Sequence, residues 1–332
     1  MDGILIVDKP EGRTSHDVVA RARRLLREKR IGHTGTLDPF ATGVLVLLVG
    51  RATRLAQFLS GAEKEYEATM RLGYDTDTGD LTGTRREVES ADENMKDCAA
   101  VTRADLEAAL ASLRGDIEQV PPMYSAKKIG GRKLYELARR GEEVEREAVR
   151  VRVSEFESVA FEDGSFIRRN GDGTCDVRAR VVVSAGTYVR ALAESVGAAL
   201  GTGAHLAALR RTRAGEFRIE RAVTLEALQE VSEKGSLVGD VGEAGGVGRV
   251  GGGGEFLLPL EAALPHMPAA HLTSDEARRA RHGAAVSSRA ADGLDDGAQV
   301  AMFDEGGALL AVGSYDSERG VLRPRVTLAA EK

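Results

Sequence analysis

The chain is poor in the residues that build disulfide frameworks, zinc sites and large aromatic cores. Its 332 residues include no tryptophan, 4% aromatic residues and two cysteines, Cys98 and Cys175. The cysteines stand far apart in the sequence and form no metal-binding spacing, so we expect free thiols in a reducing compartment. The six histidines are scattered as well, which argues against a structural zinc site. We therefore predict neither a metal nor any other cofactor.

Long apolar runs are also missing. No segment has the length and hydropathy of a membrane-spanning helix, and the N-terminus lacks the apolar core of a secretory signal. We therefore expect a soluble, cytoplasmic protein without membrane contact. With 332 residues and 42% hydrophobic content, the chain has room for about two globular domains.

The chain has fewer cationic than acidic residues, but its cationic residues are concentrated in two segments. The net charge is −6, whereas nucleic-acid-binding domains are usually basic. The segment His16–Arg30 nevertheless carries six cationic residues against two acidic ones, and Tyr124–Gly141 carries six against one. Each segment taken singly also fits a solvated helix face. Two such segments beside the motif loops described below favour a groove that binds phosphate.

One loop gathers glycine and turn-forming residues around a single carboxylate. Gly32–Gly43 reads G-H-T-G-T-L-D-P-F-A-T-G and contains Asp38, and the apolar run Val44–Val49 follows directly. Asp-Pro by itself is a common turn dipeptide, because proline fixes φ and the Asp oxygen accepts hydrogen bonds from nearby backbone N–H groups. The glycines and His33 favour instead a functional loop on a rigid scaffold, where catalytic groups tend to lie.

Periodicity predicts a mixed α/β core around a large sheet. Alternation over 65–72 is typical of a strand with one buried face, and Val44–Val49 reads as a continuous apolar strand. Glu162–Thr174 reads as an extended hairpin loop. The other elements expected from apolar spacing and capping residues are strands at Ile4–Val7, Val151–Phe161 and Val177–Val183, and helices after Thr14 or Ser15, at Asp105–Leu113, at Lys133–Arg140 and at Val189–Leu200.

A glycine-rich segment divides the chain. Residues 232–254 hold little that a core could bury and have high backbone entropy, so we predict a flexible linker there. It separates a first domain, residues 1–231, from a second, residues 255–330, which is typical of a small β-barrel or a structural cap. The elements predicted in the second domain are a helix at Ser274–Arg281 and strands near Gln299–Phe303, Leu309–Ser314 and Arg325–Leu328.

Six motifs follow one another along the first domain. Besides the Asp38 loop they are G-I-L-I-V-D-K-P-E-G-R-T-S-H-D (Gly3–Asp17), K-E-Y-E-A-T-M-R-L-G-Y-D-T-D-T-G-D (Lys64–Asp80), G-D-I-E-Q-V-P-P-M-Y-S-A-K-K (Gly115–Lys128), S-A-G-T-Y-V-R-A-L (Ser184–Leu192) and G-A-H-L-A-A-L-R-R-T (Gly203–Thr212). Together they resemble the TruB family, the tRNA pseudouridine-55 synthases. The resemblance implies an α+β pseudouridine-synthase fold, with a large, mainly antiparallel mixed sheet, flanking helices and a small C-terminal PUA-like RNA-binding β-barrel.

The same resemblance implies a reaction and a set of site residues. The reaction converts the uridine at position 55, in the T-loop of tRNA, to pseudouridine by base flipping and without a cofactor. We accordingly expect tRNA as the partner, no obligate protein partner, and a monomer. The roles carried over are the nucleophile (Asp38), a cation that lowers its pKa (Arg190), a ring that stacks on the base (Tyr66), pocket walls (Tyr188 and Leu209), a residue that replaces the flipped base (His33) and phosphate contacts (Lys9 and Arg210).

Other functions have to be weighed against these residues. A glycoside hydrolase normally needs a second carboxyl group as its acid, and no residue of the motifs is an obvious partner for Asp38. A P-loop enzyme is excluded because the glycines are not followed by G-K-[ST]. A tRNA-binding folding factor (an RNA chaperone) and a guide-RNA-dependent pseudouridine synthase fit the same motifs, so both alternatives stay open. The residues also leave open whether Asp38 attacks the sugar or the base.

Overall fold

The computed structural model describes residues 1–86, 96–233, 256–287 and 293–328. In these ranges the helices are α1 (Ser15–Leu26), α2 (Ala56–Leu59), α3 (Arg103–Ser112), α4 (Leu134–Ala138), α5 (Val189–Leu200), α6 (Leu225–Glu233) and α7 (Ser274–Arg281). The strands are β1 (Gly3–Lys9), β2 (Ile31–His33), β3 (Thr42–Val49), β4 (Lys64–Leu72), β5 (Gly115–Gln119), β6 (Lys128–Ile129), β7 (Arg132–Lys133), β8 (Val149–Val159), β9 (Ile167–Arg169), β10 (Cys175–Val183), β11 (Ala204–Ala214), β12 (Phe217–Arg218), β13 (Leu257–Leu258), β14 (Ala269–His271), β15 (Gln299–Phe303), β16 (Leu309–Asp316) and β17 (Val321–Thr327).

Eleven of the described strands form one large sheet. Its hydrogen-bonded order is β13-β1-β3-β11-β4-β10-β8-β5, with β2, β9 and β12 paired beside this path. Neighbours along the path are antiparallel, except that β3 and β11 run parallel where Thr42 faces Arg210. The predicted fold class is confirmed: the protein is α+β, with a large, mainly antiparallel mixed sheet and flanking helices.

The alternation in β4 sorts its side chains between the two faces of this sheet. Tyr66 and Met70 are buried in an apolar core that α1, α3 and α5 complete. On the opposite face, Glu65 pairs with Arg180 of β10. Period-two spacing therefore places the predicted base-stacking tyrosine on the helix-covered side of the sheet.

The strands β1 and β3 are buried on both faces, which explains why their sequences are continuously apolar. Leu5 and Leu45 belong to the helix-covered core. Ile4 and Val44 belong to a second core, to which the C-terminal residues contribute side chains such as Leu309. The C-terminal part of the chain thus packs directly against the large sheet.

The C-terminal residues also form a separate sheet of four strands, in the order β14-β15-β16-β17. β14 and β15 are parallel, and the other two pairs are antiparallel. The helix α7 has the predicted bounds and packs on this sheet through Ala277 and Ala280. The PUA-like assignment and the domain boundaries stay predictions. Residues 234–255, which include most of the predicted linker, lie outside the described residues, and Leu257–Leu258 joins the large sheet beside β1.

Several predicted elements differ from the structure at their ends; the strand predicted near Arg325–Leu328, for example, spans Val321–Thr327. The predicted helix at Lys133–Arg140 begins later, at Leu134, because a hairpin precedes it: Gly130 and Gly131 take positive φ angles between β6 and β7. The predicted loop at Glu162–Thr174 contains the short strand β9, which pairs with β10. The two cysteines are buried free thiols, as expected.

Candidate active site

A cleft of about 260 Å³ opens beside the Asp38 loop. Its lining comes from residues 34–38, from β4 and β11, from the segment 184–190 that leads into α5, and from Ser125 and Ala126. Five of the eight predicted site residues lie in this lining: Asp38, Tyr66, Tyr188, Arg190 and Leu209. These five come from four of the sequence motifs, and Ser125 and Ala126 add a fifth, so the fold brings five motifs together.

Asp38 and Arg190 form a two-point ion pair in this cleft. Nε of Arg190 lies 3.0 Å from Oδ2 of Asp38, and Nη2 donates to Oδ1 at 3.4 Å. This side-on arrangement matches the planar fork of a guanidinium and fixes the orientation of the carboxylate. The Arg190 side chain is 6% exposed, whereas that of Asp38 is 35% exposed. The carboxylate is thus oriented by its partner and still accessible.

Backbone carbonyls and a second carboxylate hold Arg190 in place. Nη1 donates to the carbonyl of Thr78 at 2.9 Å, and Nη2 donates to the carbonyl of Tyr124 at 2.7 Å. Oδ2 of Asp80 lies 3.7 Å from Nη1. Asp80 itself accepts hydrogen bonds from the backbone N–H (2.9 Å) and the hydroxyl (2.6 Å) of Thr82. The guanidinium is therefore shared between two carboxylates.

Burial raises the pKa of Asp38 above its ordinary value of 3.8, and the negative charge of Asp80 adds to this effect. Arg190 and Lys9 act in the opposite direction. The lowering influence of Arg190 agrees with the sequence-based expectation, and the loss of solvation outweighs it. Asp38 is thus harder to ionise than an exposed aspartate, and Arg190 is the main group that favours its charged form.

Two tyrosines and a leucine supply the ring and apolar surfaces of the cleft. Tyr66 on β4 and Leu209 on β11 are buried. Tyr188 directly precedes α5, and the side chain of Gln119 binds its peptide groups from both sides. Oε1 of Gln119 accepts from the Tyr188 N–H at 2.7 Å, and Nε2 donates to the Tyr188 carbonyl at 3.1 Å. Gln119 therefore fixes Tyr188 to the end of β5.

Lys9 supports the Asp38 loop from inside the protein. It is fully buried, and its Nζ donates to the carbonyls of Pro10 (2.9 Å), Arg13 (2.7 Å) and Pro39 (3.1 Å). Burial lowers its pKa to about 8. The predicted phosphate contact is incompatible with this position, because all three ammonium donors are used and no surface is exposed.

Arg210 and His33 lie outside the lining of the cleft. Arg210 makes a two-point ion pair with Asp8, at 3.0 and 2.7 Å. The ring of His33 meets that of His16 edge-on, with centroids 5.8 Å apart, and burial lowers the pKa of His33. Its Nδ1 is buried without a hydrogen-bond partner in the part of the chain that the structure describes. The phosphate contact of Arg210 and the insertion of His33 stay predictions.

The site includes residues that the sequence analysis did not single out: Lys64, Asp80, Gln119 and Arg211. Two of them could have been found in the sequence from the period-two spacing of strands. Lys64 stands two positions before Tyr66 on β4, and Arg211 stands two positions after Leu209 on β11, so each shares a strand face with a predicted site residue. Asp80 and Gln119 lie in the motifs, but their partners are distant in the sequence and only the fold reveals them.

The two cationic segments differ in their relation to the cleft. Tyr124–Gly141 reaches it through Ser125 and Ala126. His16–Arg30 forms α1 and the turn after it, with Val18 and Ala22 turned inward. The phosphate-binding groove that these segments predict stays a prediction. Among the described residues, no group of three or more His, Cys, Asp or Glu side chains is placed to hold a metal ion, and no helix is both long and apolar enough to cross a membrane.

Two family models match adjacent parts of the chain. The N-terminal domain model of the TruB family pseudouridylate synthases matches residues 23–189, and the C-terminal domain model of tRNA pseudouridylate synthase B matches residues 190–265. The chain belongs to the TruB family. The predicted enzyme class, a pseudouridine synthase, is thereby confirmed.

Whole-length relatives support the same family. The tRNA pseudouridine synthase B of Geobacillus thermodenitrificans is 40% identical, with 98% of both chains covered, and that of Thermobifida fusca is 42% identical, with 99% of both covered. Among solved structures, the archaeal box H/ACA sRNP Nop10–Cbf5 complex matches with a TM-score of 0.66 and 27% identity, over 98% of this chain and 86% of that one. An H/ACA RNP bound to a substrate RNA containing 2′-deoxyuridine matches with a TM-score of 0.68 and 26% identity, over 99% and 85%.

Proposed function

We propose that this TruB-family chain converts the uridine at position 55, in the T-loop of tRNA, to pseudouridine. It acts in the cytoplasm as a monomer, without a cofactor or an obligate protein partner. The relatives named tRNA pseudouridine synthase B support tRNA as the substrate. The observation that carries the chemistry is the ion pair of Asp38 with Arg190, in a cleft that also contains Tyr66.

The reaction is an isomerisation that needs one nucleophile. The bond between C1′ and N1 breaks, a bond between C1′ and C5 forms, and the proton leaves C5 while N1 gains one, so no atom is gained or lost. A carboxylate suffices because a covalent intermediate divides one difficult step into two easier ones. Asp38 fills this role: Arg190 fixes its orientation, and a third of its side-chain surface remains exposed. Asp80 holds the guanidinium from the far side.

The target base has to leave its stack to reach Asp38. Extrusion from a folded RNA costs a few kcal/mol, and stacking on an aromatic side chain returns about 1–3 kcal/mol. Tyr66 provides the ring, while Tyr188 and Leu209 enclose the base beside it. His33 takes the position that the base vacates in the T-loop.

The decisive variant is Asp38→Asn, which keeps the shape of the side chain and removes its charge. We expect tRNA binding to persist and pseudouridine at position 55 to fall below detection when tRNA treated with the purified variant is mapped. Because the pKa of Asp38 is raised in the fold, its ionised form lowers stability at neutral pH. The variant should therefore unfold at the same or a higher temperature at pH 7. Turnover by the folded variant would remove Asp38 from the mechanism.

The same assay separates the two alternative functions. The proposed enzyme modifies naked tRNA with no guide RNA and no ATP. A guide-RNA-dependent synthase would leave that tRNA unmodified until a guide is added. A tRNA folding factor would bind and release the RNA without forming pseudouridine, and Asp38→Asn would not change its behaviour.

A further inference from the structure

Two buried cations in the cleft have no carboxylate partner in the described part of the chain. Lys64 is 6% exposed and Arg211 is 2% exposed. Neither cation makes an ion pair with any of the described residues. Arg190, in contrast, lies between Asp38 and Asp80. Lys64 and Arg211 are therefore a pair of charges that no carboxylate of the described residues compensates.

Backbone carbonyls hold both cations in place. Nζ of Lys64 donates to the carbonyls of Ser60 and Ala62, each at 2.6 Å, which leaves one of its three N–H donors. Nε of Arg211 donates to the carbonyl of Val44 at 2.6 Å. Carbonyls supply partial negative charge but neutralise nothing. Burial and the neighbouring Arg211 accordingly lower the pKa of Lys64 to about 8.

The pair lies beside the ring that is proposed to stack on the base. Arg211 faces Tyr66 across the β4–β11 ladder, and its guanidinium carbon lies 6.0 Å from the centre of the Tyr66 ring. Gly35 lies next to both cations: a Cβ added there would be 3.6 Å from Nη1 of Arg211 and 3.8 Å from Cε of Lys64. The absence of a side chain at Gly35 therefore leaves space against the pair on the lining of the cleft.

We propose that Lys64 and Arg211 form a subsite for a backbone phosphate of the RNA, namely the phosphodiester next to the uridine that stacks on Tyr66. A buried charge is costly unless an opposite charge pairs with it. Because Asp38 and Asp80 both face Arg190, we infer that a negative group of the substrate pairs with Lys64 and Arg211. Phosphate oxygens accept hydrogen bonds from ammonium and guanidinium groups, and these charge-assisted bonds are the strong ones. The proposed subsite rests on the proposed function, because it assumes that the substrate is RNA.

The test changes the charge on the RNA and on the protein together. The RNAs are T-stem-loops in which one phosphodiester, either 5′ or 3′ of the target uridine, is replaced by a neutral methylphosphonate. Their binding is measured with the Asp38→Asn protein, so that no turnover occurs. With Lys64 present, we expect one of the two linkages to weaken binding about 10-fold, as for the loss of one charge-assisted hydrogen bond. With Lys64→Met, the same linkage should weaken binding by a clearly smaller factor, because the contact with Lys64 is already lost and only that with Arg211 remains.

Salt dependence gives an independent readout. Lys64→Met should reduce the slope of log K against log salt concentration by about 0.7, the value for one phosphate contact on single-stranded nucleic acid. Lys64→Arg keeps the charge and should keep both the slope and the linkage effect. Lys96→Met, which removes an exposed lysine beside the end of α5, is the matched control and should change neither.

A second variant keeps the test valid if Lys64→Met does not fold. Gly35→Ala adds a methyl group at ordinary contact distance from the pair, on backbone without a positive φ, so the fold should tolerate it. It covers the cations and should abolish the linkage effect. The proposal is overturned if neither linkage weakens binding, or if the effect persists at full size in the folded variants. Because no step needs turnover, a wild-type chain that shows the linkage effect but makes no pseudouridine refutes the proposed function and leaves the subsite standing.

Discussion

The two carboxylates that flank Arg190 lie in very different surroundings. The Asp80 side chain is 6% exposed, and its Oδ1 accepts hydrogen bonds from the hydroxyl of Thr78 and from the N–H and hydroxyl of Thr82. The Asp38 side chain is 35% exposed, and within the described residues its oxygens accept only from Arg190. One carboxylate is satisfied by the protein, and the other keeps spare acceptor sites.

This difference assigns separate tasks to two chemically identical groups. A buried carboxylate held by several donors is a fixed counter-ion, whereas an exposed one with free lone pairs can form a bond to substrate. In the proposed mechanism, Asp80 therefore holds the guanidinium, the guanidinium orients Asp38, and Asp38 reacts. The predictions below test that order by changing one member at a time.

Among changes to the neighbours of Asp38, the largest effect is expected from Arg190→Lys, which keeps the charge but loses the two-point contact with Asp38. We expect kcat to fall roughly 10²–10³-fold, the usual loss for one preorganised electrostatic contact, with tRNA affinity nearly unchanged. Rapid mixing of excess enzyme with tRNA measures the chemical step directly. Arg71→Lys is the matched control, because Arg71 makes a two-point pair with Asp176 outside the cleft lining. An equal loss of activity there would mean that the effect reports on folding.

A smaller effect is expected from Asp80→Asn. The substitution keeps an acceptor for Thr82 but removes the negative charge 3.7 Å from Arg190. A contact of a charged group contributes about 1.5–3 kcal/mol, which corresponds to a loss in kcat of roughly 10- to 100-fold. Asp176→Asn, the equivalent change beside Arg71, should leave kcat within about 2-fold, since neither residue lines the cleft. If Asp80→Asn abolished turnover as Asp38→Asn should, the division of tasks between the two carboxylates would be wrong.

The sequence was sufficient to identify the pair proposed to react, because each member lies in a distinctive motif. Asp38 and Arg190 are 152 positions apart, and the resemblance to a family brought them together before the fold did. The strand β4 was also predictable, since one buried face imposes period-two spacing. Asp80 could not be recognised in the same way. Its role depends on where the loop after β4 meets α5, and no local pattern encodes that contact.

Charge and burial were the least predictable features. Lys9 stands in a motif and reads as an exposed phosphate ligand, yet its ammonium is buried among carbonyls. The sequence shows that Arg190 would lower the pKa of Asp38, but only the fold shows that burial, which raises it, is the larger effect. Solvation depends on the packing of several distant segments around a side chain, and the sequence does not state how closely they pack.

The smallest effect is a shift of the pH profile, and its sign separates the two neighbours of Asp38. Only the ionised carboxylate is nucleophilic, so the wild-type rate should fall tenfold per pH unit below the pKa of Asp38. Because that pKa is raised, the fall begins above pH 3.8. Asp80 raises the pKa of Asp38, so Asp80→Asn should move the acid limb to lower pH. Arg190 lowers it, so the weaker contact in Arg190→Lys should move the limb to higher pH. Single-turnover rates across the acid range measure both shifts, and shifts of the same sign would contradict the assigned roles.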